Sequence, residues 1–173
     1  MRCTEKWKIG FFGSNFFFGN VIGSTLLAEY GDTIGRIPLI RVGQMVTVFS
    51  YSTIVFWTRD TLSIYALFFV IGLFSSWRLS LGFIYGSEII AEAHQNIAGS
   101  LFNLFDAQVV IFSSIFLQYV STDWVTLHSV YIGLATLAFF ISFLLPESPK
   151  FLVQRKQFEK ACDSYNLIAK ING

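Results

Sequence analysis

Two charged residues, Arg78 and Asp106, stand inside long apolar runs of a 173-residue sequence in which charged residues are few. If those runs cross a membrane, an interior arginine costs at least about 2.5–3.5 kcal/mol on insertion scales, so such residues usually pair or serve a function. At 1.5 Å per residue, Arg78 lies about 15 Å before Glu88 on one helix, and Asp106 roughly 13 Å after Ile97 on the next. Because these depths are similar, we hypothesise that Arg78 and Asp106 pair or share a polar cavity at midplane for substrate or protons. The alternative is a purely structural ion pair, in which each residue only neutralises the charge of the other.

A second set of charged residues stands at the ends of the apolar runs. In the segment DTIGR (residues 32–36), Gly35 permits a tight backbone turn, and Asp32 can face the positive end of a neighbouring helix. Arg36 can form a forked ion pair with carboxylates on adjacent helix ends, and Glu88 and Glu147 are carboxylates at such ends. These residue types predict ion pairs between the ends of neighbouring helices. An ordinary charged loop between two spans is the alternative.

Amide side chains inside the runs are further candidates for a polar cavity, and we single out Asn20 and Gln108. Hydrogen bonds between helices are an equally good explanation for them. Gly19 and Gly23 form a G-x-x-x-G match in the first run, which favours close helix packing.

The residue types of enzyme active sites are scattered rather than grouped. The sequence holds no Ser–His–Asp set, paired-carboxylate site or phosphate-binding loop. Its two cysteines, Cys3 and Cys162, show no metal-ligand spacing. We therefore expect no enzymatic activity, no cofactor and no metal.

The composition is that of a protein embedded in lipid. Hydrophobic residues make up 54% of the chain, aromatic residues 18% and charged residues only 13%, whereas soluble domains carry about 25% charged residues. A formal net charge of +1 implies no attraction to nucleic acid. The lipid bilayer is therefore the expected surrounding.

About five runs are long enough to span a membrane as helices. Their β-branched and aromatic residues would also suit strands, but they lack the alternation of a membrane barrel. The links between the runs are short, which predicts antiparallel neighbours. The runs cover residues 9–27, 37–57, 62–90, 97–120 and 124–145, with the links 28–36, 58–61, 91–96 and 121–123.

The last part of the chain differs from the rest, so we divide the sequence into a transmembrane bundle (1–145) and a polar tail (146–173). Apolar residues at helical spacing predict an amphipathic helix in the tail, resting on the membrane surface or on other cytoplasmic helices. The positive-inside rule places the tail in the cytoplasm because it is basic. Its basic residues are Lys150, Arg155, Lys156, Lys160 and Lys170.

Three short motifs resemble those of the major facilitator superfamily. DTIGR resembles the superfamily's loop G-x-L-A-D-R-x-G-R, with Asp32, Gly35 and Arg36 matching. PESPKFL (146–152) is close to the P-E-S-P-R-W-L of sugar porters and organic-ion transporters, and SEI (87–89) resembles the end of the fourth span. On this resemblance the chain looks like an amino-terminal-half fragment with spans two to six, lacking the first span and the carboxyl-terminal half.

The chain also departs from the family pattern. Ala28 replaces the first glycine of the loop, and Thr33 and Ile37 replace basic residues. The region 92–96 has no arginine, and Val125 follows Trp124 where the family has arginine. The resemblance therefore implies a thinner cytoplasmic ion-pair network than usual. A non-transporting membrane interaction protein or a degenerate fragment is the alternative function.

The resemblance implies an all-α, partial helix bundle that transports a small organic solute, an organic ion or a sugar, by alternating access. It assigns Asp32, Gly35, Arg36, Glu88 and Glu147 to the gate and latch. The implied partners are a small-molecule solute, the bilayer and a complementary carboxyl-terminal half. The plasma membrane is the expected location.

Overall fold

The computed structural model describes residues 6–90 and 94–172, and in these ranges the elements are helices. The chain divides into two compact units, Met1–Gly82 and Phe83–Gly173. The helices are α1 (Lys6–Ile34), α2 (Arg36–Phe56), α3 (Thr61–Ile89), α4 (Gln95–Ile115), α5 (Trp124–Ile141), α6 (Pro149–Gln154) and α7 (Phe158–Asn172). A π-helical turn, Phe116–Val120, extends α4, and a 3₁₀ turn, Ser142–Leu144, extends α5.

Four of these helices are long and apolar enough to cross a membrane: Arg36–Phe56, Thr61–Ile89, Gln95–Val120 and Trp124–Leu144. The shortest have 21 residues, which is about 32 Å of helix and matches the hydrocarbon core of a bilayer. The predicted run 9–27 lies in α1, a helix of 29 residues that is not among these four. The expectation of an all-α membrane bundle is confirmed.

The positions of the prolines explain why the apolar runs remain unbroken. Pro38 lies in the first turn of α2, Pro149 is the first residue of α6, and Pro146 lies between helices. A proline in the first turn removes no intrahelical hydrogen bond. Helices satisfy their own backbone groups in lipid, so the β-branched and aromatic residues of the runs adopt them.

The link 28–36 is much shorter than the sequence predicts. Helix α1 continues to Ile34, and Gly35 alone separates it from Arg36, the first residue of α2. No proline interrupts this stretch, so the helix ends only at Gly35, whose φ of 116° favours glycine.

The first unit is organised around close contact between α1 and α3. A methyl group on Gly19 would collide with the Phe69 carbonyl oxygen, and one on Gly23 with the Leu73 carbonyl oxygen. From the other side, a methyl group on Gly72 would collide with the backbone of α1. Only hydrogen fits at these positions, and the close packing predicted from G-x-x-x-G is confirmed.

Hydrogen bonds from polar side chains also join α1 and α3 along the same contact. The Tyr65 hydroxyl donates to the Lys8 carbonyl at 2.9 Å, and the Trp77 indole N–H donates to the Gly23 carbonyl at 3.0 Å. Asn15 also donates a hydrogen bond to the Tyr65 carbonyl. Because early residues of α1 meet early residues of α3, and later ones meet later ones, the two helices run parallel.

Helix α2 packs against the part of α3 that contains Phe74, Trp77 and Leu81. Leu39 and Leu81 are both nearly fully buried and are flanked by Ile40 and Trp77. A methyl group on Gly43 would stand 3.1 Å from the Phe74 carbonyl oxygen. The start of α2 therefore contacts the later residues of α3, so these neighbours are antiparallel.

The second unit contains the end of α3, helices α4 and α5, and the tail. The Tyr131 hydroxyl of α5 lies 2.7 Å from the Ser113 hydroxyl of α4 and donates to the Val109 carbonyl at 3.1 Å. Asp123 caps α5 by accepting from the Val125 N–H at 3.1 Å. The tail folds into α6 and α7, which pack on each other through Phe151, Leu152 and Ala161.

Candidate gate and cavity residues

The Gly35 turn fixes the position of Arg36 in the first unit. Arg36 is only 7% exposed, and its Nη1 donates to the Gly31 carbonyl at 2.9 Å. Gly31 lies in the last turns of α1, whose terminal carbonyls lack intrahelical partners and carry the negative end of the helix dipole. A guanidinium at this position donates a hydrogen bond to a terminal carbonyl and also offsets the partial negative charge of the helix end. The predicted latch arginine is thus a buried side chain that is hydrogen-bonded to the end of α1.

The side chain of Asp32, the other charged residue predicted for this loop, lies outside the described residues. Its backbone belongs to α1, so it occupies the last turn of a helix rather than a flexible loop. The residues after Arg36 are apolar and buried, with Ile37 at 2% and Leu39 at 3% exposure. The segment is therefore a packed helix corner.

A second ordered site surrounds Pro146 in the second unit. The Tyr85 hydroxyl of α3 donates to the Pro146 carbonyl at 2.8 Å, and Tyr85 is buried. Ser148 is fully buried, and its hydroxyl caps α6 by accepting from the Phe151 N–H at 3.4 Å. The Pro-Glu-Ser-Pro segment is thus tied both to α3 and to its own helix.

Both predicted carboxylates of the latch adjoin this site. Glu147 follows Pro146 directly, and its Oε1 accepts from the Ser148 N–H at 3.0 Å. Glu88 follows Tyr85 by one turn of α3, and its Oε2 is buried. The fold thereby holds the backbones of Glu88 and Glu147 at the same end of the second unit.

Arg78 lies in α3 within the first unit and is half-buried, with its Nε buried. Other polar residues of this unit are buried as well, namely Gln44, Ser75 and Ser76, each at 7% exposure or less. Asn20 is half-buried on α1. Several polar side chains are therefore buried inside the first unit.

Asp106 and Gln108, by contrast, are exposed side chains of α4, a helix with no buried residue. At 100° per residue, Asp106 shares one face with Asn96, Ser100 and Asn103, and all four are exposed. An exposed polar face on a membrane-spanning helix requires water or polar neighbours, because lipid tails offer no hydrogen bonds.

The two predicted pairings join residues of different units. Arg36 and Arg78 belong to Met1–Gly82, whereas Glu88, Glu147 and Asp106 belong to Phe83–Gly173. The latch ion pair and the Arg78–Asp106 pair therefore remain predictions. Within residues 6–90 and 94–172, no three His, Cys, Asp or Glu side chains are grouped so that they could hold a metal ion.

Tyr85 is a residue of this site that the sequence did not indicate. One aromatic hydroxyl among many aromatic residues carries no signal that it reaches a carbonyl 61 positions away.

Comparison with known proteins places the chain in a family. The family described as sugar (and other) transporter matches residues 2–172. Solute carrier family 22 member 15-like of Xenopus tropicalis is 29% identical over 150 residues, which is 86% of this chain and 30% of that protein. Organic cation/carnitine transporter 2 of Homo sapiens is 27% identical over 176 residues, which is 99% of this chain and 30% of that protein.

Solute carrier family 22 member 3 of Mus musculus is 24% identical over 174 residues, which is 99% of this chain and 31% of that protein. The chain thus spans about 30% of the length of the curated relatives it matches. The family match extends over nearly all of the chain, and it agrees with the helical bundle and the four possible spans. The chain therefore belongs to the sugar (and other) transporter family and is an integral membrane protein of the major facilitator type, similar to organic cation transporters.

Proposed function

We propose that this chain supplies helices of one half of a transporter that moves a small organic ion across a membrane by alternating access. The observation that carries the proposal is the family match over residues 2–172. The name of organic cation/carnitine transporter 2 suggests quaternary ammonium compounds as the substrate class. Sugars are a second class, since the family is described by them.

Arg36 is the centre of the proposed latch. Its burial and its hydrogen bond to the Gly31 carbonyl hold the side chain in one position, which limits the entropy lost when an ion pair forms. Glu88 and Glu147 are the proposed partners, with Asp32 and Gly35 completing the loop. In alternating access, such pairs form when the cytoplasmic side closes and break when it opens.

Arg78, Asp106, Asn20 and Gln108 are the proposed cavity residues. A carboxylate of a zwitterionic solute would pair with Arg78, and its ammonium group with Asp106. The exposed polar face of α4 supports this proposal, because it is suited to a water-filled path rather than to lipid. A complementary carboxyl-terminal half would close the path, and the plasma membrane is the proposed location.

The decisive experiment expresses the chain in cells with and without the carboxyl-terminal half of organic cation/carnitine transporter 2. We expect insertion without uptake for the chain alone, and saturable uptake of radiolabelled carnitine or a quaternary ammonium compound when both parts are present. Arg36→Ala should lower the maximal rate of that uptake. Arg59→Ala removes a charge from an exposed link and should leave the rate unchanged.

Two outcomes would contradict the proposal. Saturable uptake by the chain alone, above cells with empty vector, would show that one copy or a homodimer forms a complete path. Failure of the chain to capture the complementary half in a pull-down would instead favour the non-transporting membrane interaction protein.

A further inference from the structure

We propose that the hairpin formed by α6 and α7 docks on the anionic phospholipids of the cytoplasmic leaflet, with Lys156 and Lys160 as its principal charged contacts. The inference rests on the cytoplasmic orientation of the tail and not on transport. It goes beyond the proposed function because it assigns a lipid surface to α6 and α7, to which the proposed function gives no role.

The hairpin has a defined internal core. Phe151, Leu152 and Ala161 are buried against one another, with exposures of 8%, 5% and 3%. The chain reverses at Lys156, whose φ of 58° places it in the left-handed region. The Gln157 N–H donates to the Leu152 carbonyl at 3.0 Å and closes the turn. The rest of the hairpin surface is therefore presented in a fixed arrangement.

Large apolar side chains remain outside this core. Val153 is 43% exposed, Phe158 61% and Tyr165 54%. On the helical wheel, Phe158, Cys162 and Tyr165 share one flank of α7. Ala161 packs on α6, and Ser164 is buried. The flank is an amphipathic surface of the type that inserts at the headgroup boundary.

Basic residues surround the turn beside that flank. Between residues 149 and 160 the chain has four basic residues, Lys150, Arg155, Lys156 and Lys160, and one acidic residue, Glu159. All five are exposed. Residues 156–160 also line a groove of about 320 Å³ with a lysine at each end. The charge at the turn complements anionic headgroups.

The connection to the membrane keeps this surface close to the bilayer. Four residues separate the span ending at Leu144 from Pro149, the first residue of α6, so the two ends lie within about 18 Å. The Tyr85–Pro146 hydrogen bond further restricts this link. Basic and aromatic side chains held at this distance favour a bilayer over a soluble partner as the occupant.

The test uses the native thiol of Cys162 as a probe. The full chain with Cys3→Ser is spin-labelled at Cys162, which is exposed, and reconstituted in nanodiscs of phosphatidylcholine with or without phosphatidylserine. Collisions with a water-soluble nickel chelate and with oxygen report whether the label lies in water or lipid. Each basic residue near an anionic surface is expected to raise the docked population about fivefold, so phosphatidylserine should shift the label towards lipid.

Two matched lysine variants locate the contact. Lys160→Gln should reduce the docked population about fivefold. Lys170→Gln removes the same charge from the same helix but lies about 15 Å further along it, beyond the Debye length of about 8 Å at physiological salt, and should change little. Phe158→Ser should reduce the depth of the label while leaving its dependence on phosphatidylserine in place. All three side chains are exposed, so these substitutions leave the buried core intact.

Three results would overturn the proposal. The first is equal nickel access with and without phosphatidylserine. The second is an equal effect of Lys160→Gln and Lys170→Gln. The third is protection of the label that is independent of lipid charge, which would show that another protein segment covers the flank.

Discussion

The α1–α3 contact and the α4 helix represent two opposite ways of placing polar groups in a membrane protein. In the first unit, glycines bring two backbones together, and polar side chains such as Trp77 and Asn15 donate to carbonyls of the neighbouring helix. In the second unit, α4 has no buried residue and exposes Asp106. In the first arrangement the polar side chains find partners on the neighbouring helix, whereas in the second the Asp106 carboxylate lies on an exposed surface.

The largest expected effect concerns Arg78 of α3 and Asp106 of α4, the two charged residues inside the apolar runs. If Arg78 and Asp106 form a buried pair, Arg78→Asp or Asp106→Arg alone should destabilise the inserted chain by about 3–5 kcal/mol, because each change places two like charges together. The double charge reversal should recover most of this loss if the two side chains pair. Thermal unfolding in detergent measures each variant, and a double variant no better than the single ones excludes direct pairing.

The glycine contact should be the next most sensitive feature. Gly23→Ala places a methyl group against the backbone of α3 and should cost about 1–3 kcal/mol through overpacking. Gly13→Ala is the matched control in the same helix, because nothing lies within 4 Å of its added methyl group. It should be neutral or stabilising, since alanine is the better helix former. Equal unfolding temperatures for the two variants would contradict the close packing.

A smaller effect is expected at the link between α3 and the tail. Tyr85→Phe removes the hydrogen bond to the Pro146 carbonyl, whose net contribution is about 0.5–1.5 kcal/mol. Limited proteolysis after residue 146 should become faster. Tyr119→Phe, at a side chain that is 76% exposed, should leave cleavage unchanged. Unchanged cleavage in Tyr85→Phe would mean that other contacts hold the tail.

The smallest effect is expected at the opposite end of α5. The Thr126 hydroxyl and then the Val125 N–H donate to Asp123 and hold its pKa below the ordinary value. A lowered folded pKa means that the stabilising contribution is complete above the unfolded pKa, about 3.9, and is lost as the pH falls through the folded pKa. The protection of the Val125 amide, measured as its exchange rate relative to an unstructured peptide at the same pH, should therefore fall in acid, and Asp123→Asn should weaken that pH dependence. A protection that does not change with pH in the native chain would contradict this.

The sequence was sufficient for features that depend on local pattern. Long apolar runs predicted the helices, and the spacing of Gly19 and Gly23 predicted the close contact. The sequence did not reveal that α1 continues to Ile34, because residues 28–34 suit a helix or a polar loop equally well. The end of that helix is decided by the backbone conformation of Gly35.

The candidate site was only partly accessible from the sequence. Arg36 and Glu147 could be identified as candidates from their charge and position, but the hydrogen bond of Arg36 to the Gly31 carbonyl could not be anticipated. In such contacts the acceptor is a backbone carbonyl. Because every residue has one, the residue type of the partner cannot be predicted from the sequence. The same holds for Tyr85 and Pro146, which lie 61 positions apart.

The single-residue connection at Gly35 has a mechanical consequence. Two helices joined by one residue share only its two backbone torsions, so a tilt of α1 has few degrees of freedom in which to dissipate before it reaches α2. A longer loop would absorb the same tilt in many soft torsions. The relative orientation of α1 and α2 is therefore set by the two torsions of one residue, Gly35.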